Sequence, residues 1–146
     1  MFSPDFREFI ALLNKHAVRY MIVGGYAVGI HGHPRYTGDL DIWLLPDPAN
    51  ADNILKAIRD FGFGSLDIKI TDLTKKDCII QLGYPPLRID LLTDIDGVSF
   101  NECYPNRKTL NVDGINVDFI GYTDLIKNKK ASGRHQDLGD IDNLKE

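Results

Sequence analysis

A chain of 146 residues, 43% hydrophobic and 26% charged, can bury an apolar core without cross-links and is too apolar for a disordered tail. Its net charge of -4 excludes the broadly basic surface that tight, non-specific nucleic-acid binding needs, while leaving room for a local basic patch. Two cysteines, Cys78 and Cys103, are too few for a disulfide framework and read as free thiols of a reducing, cytoplasmic setting.

In chain order, Ser3-Pro4-Asp5 predicts a helix start: a capping hydroxyl, a proline at the first helical position and an acid in the first turn. This start lacks the basic opening of a secretion signal, and no apolar run in the chain reaches the length of a membrane span. Phe6, Phe9, Ile10 and Leu13 follow at helical spacing and predict one core-facing stripe. Residues 19–25, RYMIVGG, read as a short strand ending in two glycines, and 26–32, YAVGIHG, as a short helix or turn. A polar loop, HPRYTG, leads to a strand over 39–45, DLDIWLL, stopped by Pro46. Residues 46–62 predict a helix with Ile54, Leu55, Ile58 and Phe61 on one stripe and Gly62 closing it. Residues 64–76 carry no clear pattern.

Two further strands, DCIIQLG (77–83) and LRIDLLT (87–93), are separated by Pro85-Pro86. Residues 107–121 predict a hairpin, because Asp113-Gly114 supplies the positive φ angles of a tight two-residue turn. A helix over 122–133 has a basic C-terminal end and stops at Gly133, and a last short helix covers 134–146. The expected class is α/β (α+β): one domain over 1–146 with a mixed sheet flanked by helices.

Side chains alternate across a strand, so Asp39 and Asp41 share one face while Leu40, Ile42 and Leu44 take the other. Two carboxylates held together near a core repel, so either one is protonated or a cation sits between them. Magnesium, or manganese in its place, accepts such oxygen ligands and keeps positions open for phosphate. Asp90 repeats the pattern in LRIDLLT, with Ile89 and Leu91 opposite. Were the two strands neighbours, the three acids would form a two-metal centre for phosphoryl or nucleotidyl transfer. Gly24 and Gly25 close the preceding strand; the turn is either simply tight or presents backbone N–H groups to nucleotide phosphates. Arg88 shares the Asp90 face and either pairs with an acid of the centre or touches substrate. Trp43 is expected to close the floor of the site, and His31 and His33 to belong to a polar loop.

The order strand, Gly-Gly, short helix, D-x-D strand, later acid resembles the polymerase-β-type nucleotidyltransferase superfamily. The run from Gly24, Gly25 and Ala27 to Arg35, Thr37, Asp39 and Asp41 is similar to the branch of type IV abortive-infection toxin nucleotidyltransferases. So is the C-terminal set of Lys129, Ala131, Gly133, Arg134, Asp137, Leu138 and Asp140. The turn and D-x-D are also shared with antibiotic nucleotidyltransferases. The resemblance implies a nucleotidyltransferase fold and transfer of a nucleoside monophosphate from a nucleoside triphosphate to an acceptor hydroxyl. Asp39, Asp41 and Asp90 would be catalytic and bind metal. Gly24, Gly25, Arg35, Thr37 and Lys129 would bind the nucleotide, with Asp137 orienting Lys129. Tyr26 stands where many relatives keep serine. The acceptor stays open between RNA, protein and a small molecule. The alternative is a non-catalytic or weakly active nucleotide-binding module of a toxin–antitoxin-like pair, working with a partner protein.

Overall fold

A computed structural model of the chain describes residues 1–34 and 36–144. The expected role of Arg35 and the last two positions of the final helix therefore lie outside the described residues. Helix α1 (Pro4–Lys15) begins as its sequence requires: the Ser3 hydroxyl accepts a hydrogen bond from the Phe6 N–H at 3.2 Å, satisfying one of the free amides of the first turn. It buries Phe6, Phe9, Ile10 and Leu13. Strand β1 (Tyr20–Val23) runs directly into α2 (Gly24–Ile30), so the two glycines open the helix. Strand β2 (Asp39–Leu44) leads to α3 (Pro48–Ile58), capped by Asp47, whose carboxylate accepts from the Asn50 N–H. The regular helix ends four residues before Gly62; a wider turn over Arg59–Phe63 carries the chain to that glycine, whose φ of 100° ends it.

Strands β3 (Ile79–Tyr84) and β4 (Leu87–Leu92) form a hairpin. A short α4 (Phe100–Cys103) precedes the second hairpin, β5 (Lys108–Val112) and β6 (Ile115–Phe119), whose turn residues Asp113 and Gly114 take φ of 51° and 89°. Helices α5 (Tyr122–Ser132) and α6 (His135–Leu144) finish the fold, with Gly133 left-handed between them. No helix among the described residues is long and apolar enough to cross a membrane.

The strands make one six-stranded sheet in the order β3-β4-β2-β1-β6-β5. It is mixed: β2 with β4 and β1 with β6 are parallel, and the other neighbours antiparallel. One face packs on α1 and α3 through Tyr20, Ile22, Leu40, Ile42, Leu44 and Ile89. The other face carries Met21, Val23 and Trp43 against Phe100, Cys103 and Leu125. At the β4 side of that second face the side chains change from apolar to charged.

Candidate active site

The pairing of β2 with β4 assembles the acids. In this parallel register Asp41 lies opposite Asp90, and Asp39 opposite Arg88. Partners across a sheet share a face, so all four charged side chains stand together. Arg88 settles between two of the acids. Its Nε donates to Asp90 Oδ1 at 2.8 Å, and its Nη2 donates to Asp90 Oδ2 at 3.1 Å and to Asp39 Oδ2 at 3.0 Å. Of the two roles open to Arg88 in the sequence, the structure shows the pairing with acids.

Asp41 is left out of this clamp. Among the described residues it receives no side-chain hydrogen bond. Burial, then the charges of Asp90 and Asp39, push its carboxyl from 3.8 up to about 7, against the smaller pull of Lys129 and Arg88. Gly24 makes room for it: a Cβ there would collide with Asp41 Oδ2, and its φ of 68° also favours glycine. Gly25 does the same for Thr37, whose hydroxyl would stand 2.8 Å from an added Cβ. Thr37 in turn donates to the Asp39 carbonyl at 3.2 Å, fixing the entry to β2. Among the described residues no side chain caps α2, which leaves its first amides without a capping partner there.

The C-terminal helices supply the opposite sign. Helix α5 turns Asp124, Leu125, Asn128 and Lys129 inward. The buried Lys129 ammonium lies 3.2 Å from both Asp137 and Asp140 of α6. Arg134 reaches the same Asp137 through its Nε at 2.7 Å. Burial alone would raise the Asp137 carboxyl, but hydrogen bonds from Arg134 and Lys129 and their charges win and hold it below its ordinary value. A cavity of about 450 Å³ is lined by Gly24, Asp41, Lys129 and Arg134. Asn128 and the acids Asp94 and Asp96 also line it, and sequence reading missed them. Their signal was present in the sequence: Asp94 and Asp96 directly follow β4, and open α/β sheets place ligands beyond strand ends.

Other candidates lie elsewhere. Tyr26 packs on Phe2 and Phe6, with ring centroids 5.1 and 6.0 Å away, on the α1 side of the sheet. Trp43 is buried edge-on against Phe100 at 5.2 Å, within the apolar part of that face. His31 bonds the Ile120 carbonyl and His33 the Asn143 amide, so each ring tethers its loop. Cys103 is buried, and desolvation with the nearby Asp124 pushes its thiol up to about 12, where it is no nucleophile.

Whether a divalent cation suits this donor set can be judged from the charges. Among the described residues no three acidic, histidine or cysteine side chains converge closely enough to cage an ion. Arg88 pairs with two of the three acids, Asp39 and Asp90. The chemistry of the set nonetheless fits a hard cation: three carboxylates on one face, with Asp41 raised by burial and then by the charges of Asp90 and Asp39.

A family model described as "Nucleotidyl transferase of unknown function (DUF2204)" matches residues 3–146. The chain belongs to that family. Its fold is similar to a Thermotoga maritima protein named as a nucleotidyltransferase, at 16% identity and a TM-score of 0.59, over 99% of this chain and 91% of that one. A nucleotidyltransferase-like antigen of Paracoccidioides brasiliensis superposes at 20% identity and 0.56, over 96% and 74%. The lincosamide antibiotic adenylyltransferase LnuA, with lincomycin bound, superposes at 14% identity and 0.58, over 99% and 97%. Comparison with functionally curated proteins returns no match. The DUF2204 chain thus has a mixed-sheet nucleotidyltransferase fold.

Proposed function

We propose that this DUF2204 chain acts as one nucleotidyltransferase domain over residues 1–146, moving a nucleoside monophosphate from a nucleoside triphosphate to an acceptor hydroxyl in the cytoplasm. The observation that carries the reading is Asp41: it shares a sheet face with Asp39 and Asp90 and a cavity with Gly24, Lys129 and Arg134. Asp39, Asp41 and Asp90 would hold Mg2+ or Mn2+, which when bound neutralises phosphate charge as the new bond forms. The amides of Gly24 and Gly25 at the uncapped start of α2 receive phosphate oxygens. Lys129 adds a positive charge on the phosphate side, with Asp137 and Asp140 fixing its ammonium. Thr37 and Arg35 would bind the nucleotide. The acceptor oxygen bonds to the α-phosphorus as the bond to the bridging oxygen breaks, pyrophosphate leaves, and the hydroxyl proton passes to Asp90.

The test is a labelled-triphosphate transfer screen against total RNA, protein extract and small hydroxyl compounds, lincosamides and aminoglycosides included. Label should appear in one acceptor class, require Mg2+ or Mn2+, and vanish in Asp41→Asn. Full transfer by that variant would end the mechanism. One observation favours a second reading, the guanidinium of Arg88 lodged between Asp39 and Asp90. A nucleotide-binding module with little turnover, paired with an antitoxin-like partner protein, would tolerate such a plug. It predicts thermal stabilisation by triphosphates without pyrophosphate release.

A further inference from the structure

We infer that Arg88 is an exchangeable counter-ion: it holds Asp39 and Asp90 together in the resting site and must leave before those two acids can share a divalent cation. The inference rests on the transferase reading of the site. The register brings the groups within reach, since Arg88 is the cross-strand partner of Asp39 and stands two residues before Asp90 on the same face. Its fork engages both oxygens of Asp90 and one of Asp39. A cation bridging these carboxylates would sit beside a guanidinium of the same sign, with three of the four carboxylate oxygens already accepting from Arg88.

The clamp is also easy to release. Among the described residues every hydrogen bond of the Arg88 side chain goes to these two acids, and no aromatic ring packs on its guanidinium. About a quarter of its side chain is exposed (24%), so it has a way out. A freed guanidinium has the planar fork that matches phosphate oxygens. Nucleotide arrival would then do two things at once: draw Arg88 off the carboxylates and open Asp90 to the cation. Asp41, outside the clamp, is the acid first available. Cation loading is therefore ordered, with the Asp39–Asp90 pair last and dependent on nucleotide.

The test measures Mn2+ binding without nucleotide, by the loss of the free-ion EPR signal, in wild type, Arg88→Met and Arg88→Met/Asp90→Asn. Removing a like charge beside the site should tighten Mn2+ binding ~10-fold or more. Adding Asp90→Asn should cancel the gain. Equal affinity in wild type and Arg88→Met, or a gain that survives Asp90→Asn, overturns the inference. If Arg88→Met does not fold, wild type decides alone. Its Arg88 Nε–H resonance should be protected in metal-free protein and exchange with solvent once Mg2+ and a non-hydrolysable triphosphate are added. A resonance that stays protected overturns the inference. Neither readout uses turnover. Absence of product would sink the transferase reading without touching the affinity comparison, and product with unchanged Mn2+ affinity would sink only the counter-ion.

Discussion

The two faces of the central strand β2 solve opposite problems. Leu40, Ile42 and Leu44 meet α1 and α3 in a wholly apolar layer, while one residue away Asp39 and Asp41 face Arg88 and Asp90. An apolar face needs only shape and volume, each large side chain contributing about 1.5–3 kcal/mol on burial. A charged face needs partners at matched positions, because an unpaired buried charge costs several kcal/mol. The first face can thus hold the fold with many sequences. The second is stable only in particular combinations, and here it stops short of full compensation at Asp41. Such local violations gather where a site is being kept ready for something else.

The sharpest way to break the comparison is Asp41→Asn. In transfer assays the variant should lose on the order of 10³-fold in rate, the equivalent of several kcal/mol of lost charge stabilisation. Its metal-free stability should move the other way. The folded carboxyl titrates near 7 and the unfolded one near 3.8, so the native site resists ionisation. Wild type therefore loses stability as pH rises from about 4 to 7, whereas Asp41→Asn has no such loss. A shift of about three units sets a ceiling of about 4 kcal/mol on the gain, and solvent contact brings it lower. Urea melts at pH 5 and pH 8 check this; a gain no larger at pH 8 would contradict it.

A second pair of variants separates the faces by pH. Phe9→Ala should cost about 3–5 kcal/mol at any pH, since it removes apolar volume from the α1 layer. Lys129→Met should cost on the order of 3 kcal/mol at pH 7, because Asp137 and Asp140 lose their buried ammonium. That second cost should shrink toward pH 4. The folded pKa of Asp137 is depressed in wild type, so the stability it contributes is present above the unfolded value and fades as pH falls. Parallel melts at pH 7 and 4 distinguish the two; equal pH dependence would mean the Lys129 cluster is held by packing alone.

The apolar face was legible in the sequence and the charged one only in outline. Phe6, Phe9, Ile10 and Leu13 announce α1 by period, and Asp113-Gly114 announces the hairpin by turn chemistry. Asp39 and Asp41 share a face by alternation alone. Their meeting with Asp90 depends on β4 pairing with β2, a long-range choice that no local pattern encodes. Helix α5 shows the limit most clearly. Its inward residues include Asp124, Asn128 and Lys129, so by hydrophobic period it resembles a solvated helix, yet these are buried. Arg88 was visible on the right face, but whether it would bind acids or substrate is a question of side-chain geometry. Tyr26 stands where many relatives keep serine, and its ring packs on the α1 side of the sheet, away from the acids.

The smallest effect tests whether the two faces are joined through Gly24. The glycine serves two needs at once: a φ of 68° and clearance for the Asp41 carboxylate. Left-handed backbone costs a non-glycine residue about 1–2 kcal/mol. Gly24→Ala should cost that much plus the collision with Asp41 Oδ2. In an Asp41→Ala background the collision disappears and only the backbone cost stays. The double-mutant cycle should therefore show a coupling of about 1 kcal/mol, within the range seen for residues in contact. Urea midpoints of the four proteins give it directly. A coupling near zero would mean that Gly24 is required by the turn alone, and that the carboxylate merely occupies space the turn leaves. A clear coupling would mean that the first turn of α2 and the D-x-D strand constrain each other, so that Gly24 belongs to the site through its missing side chain as well as through its amide.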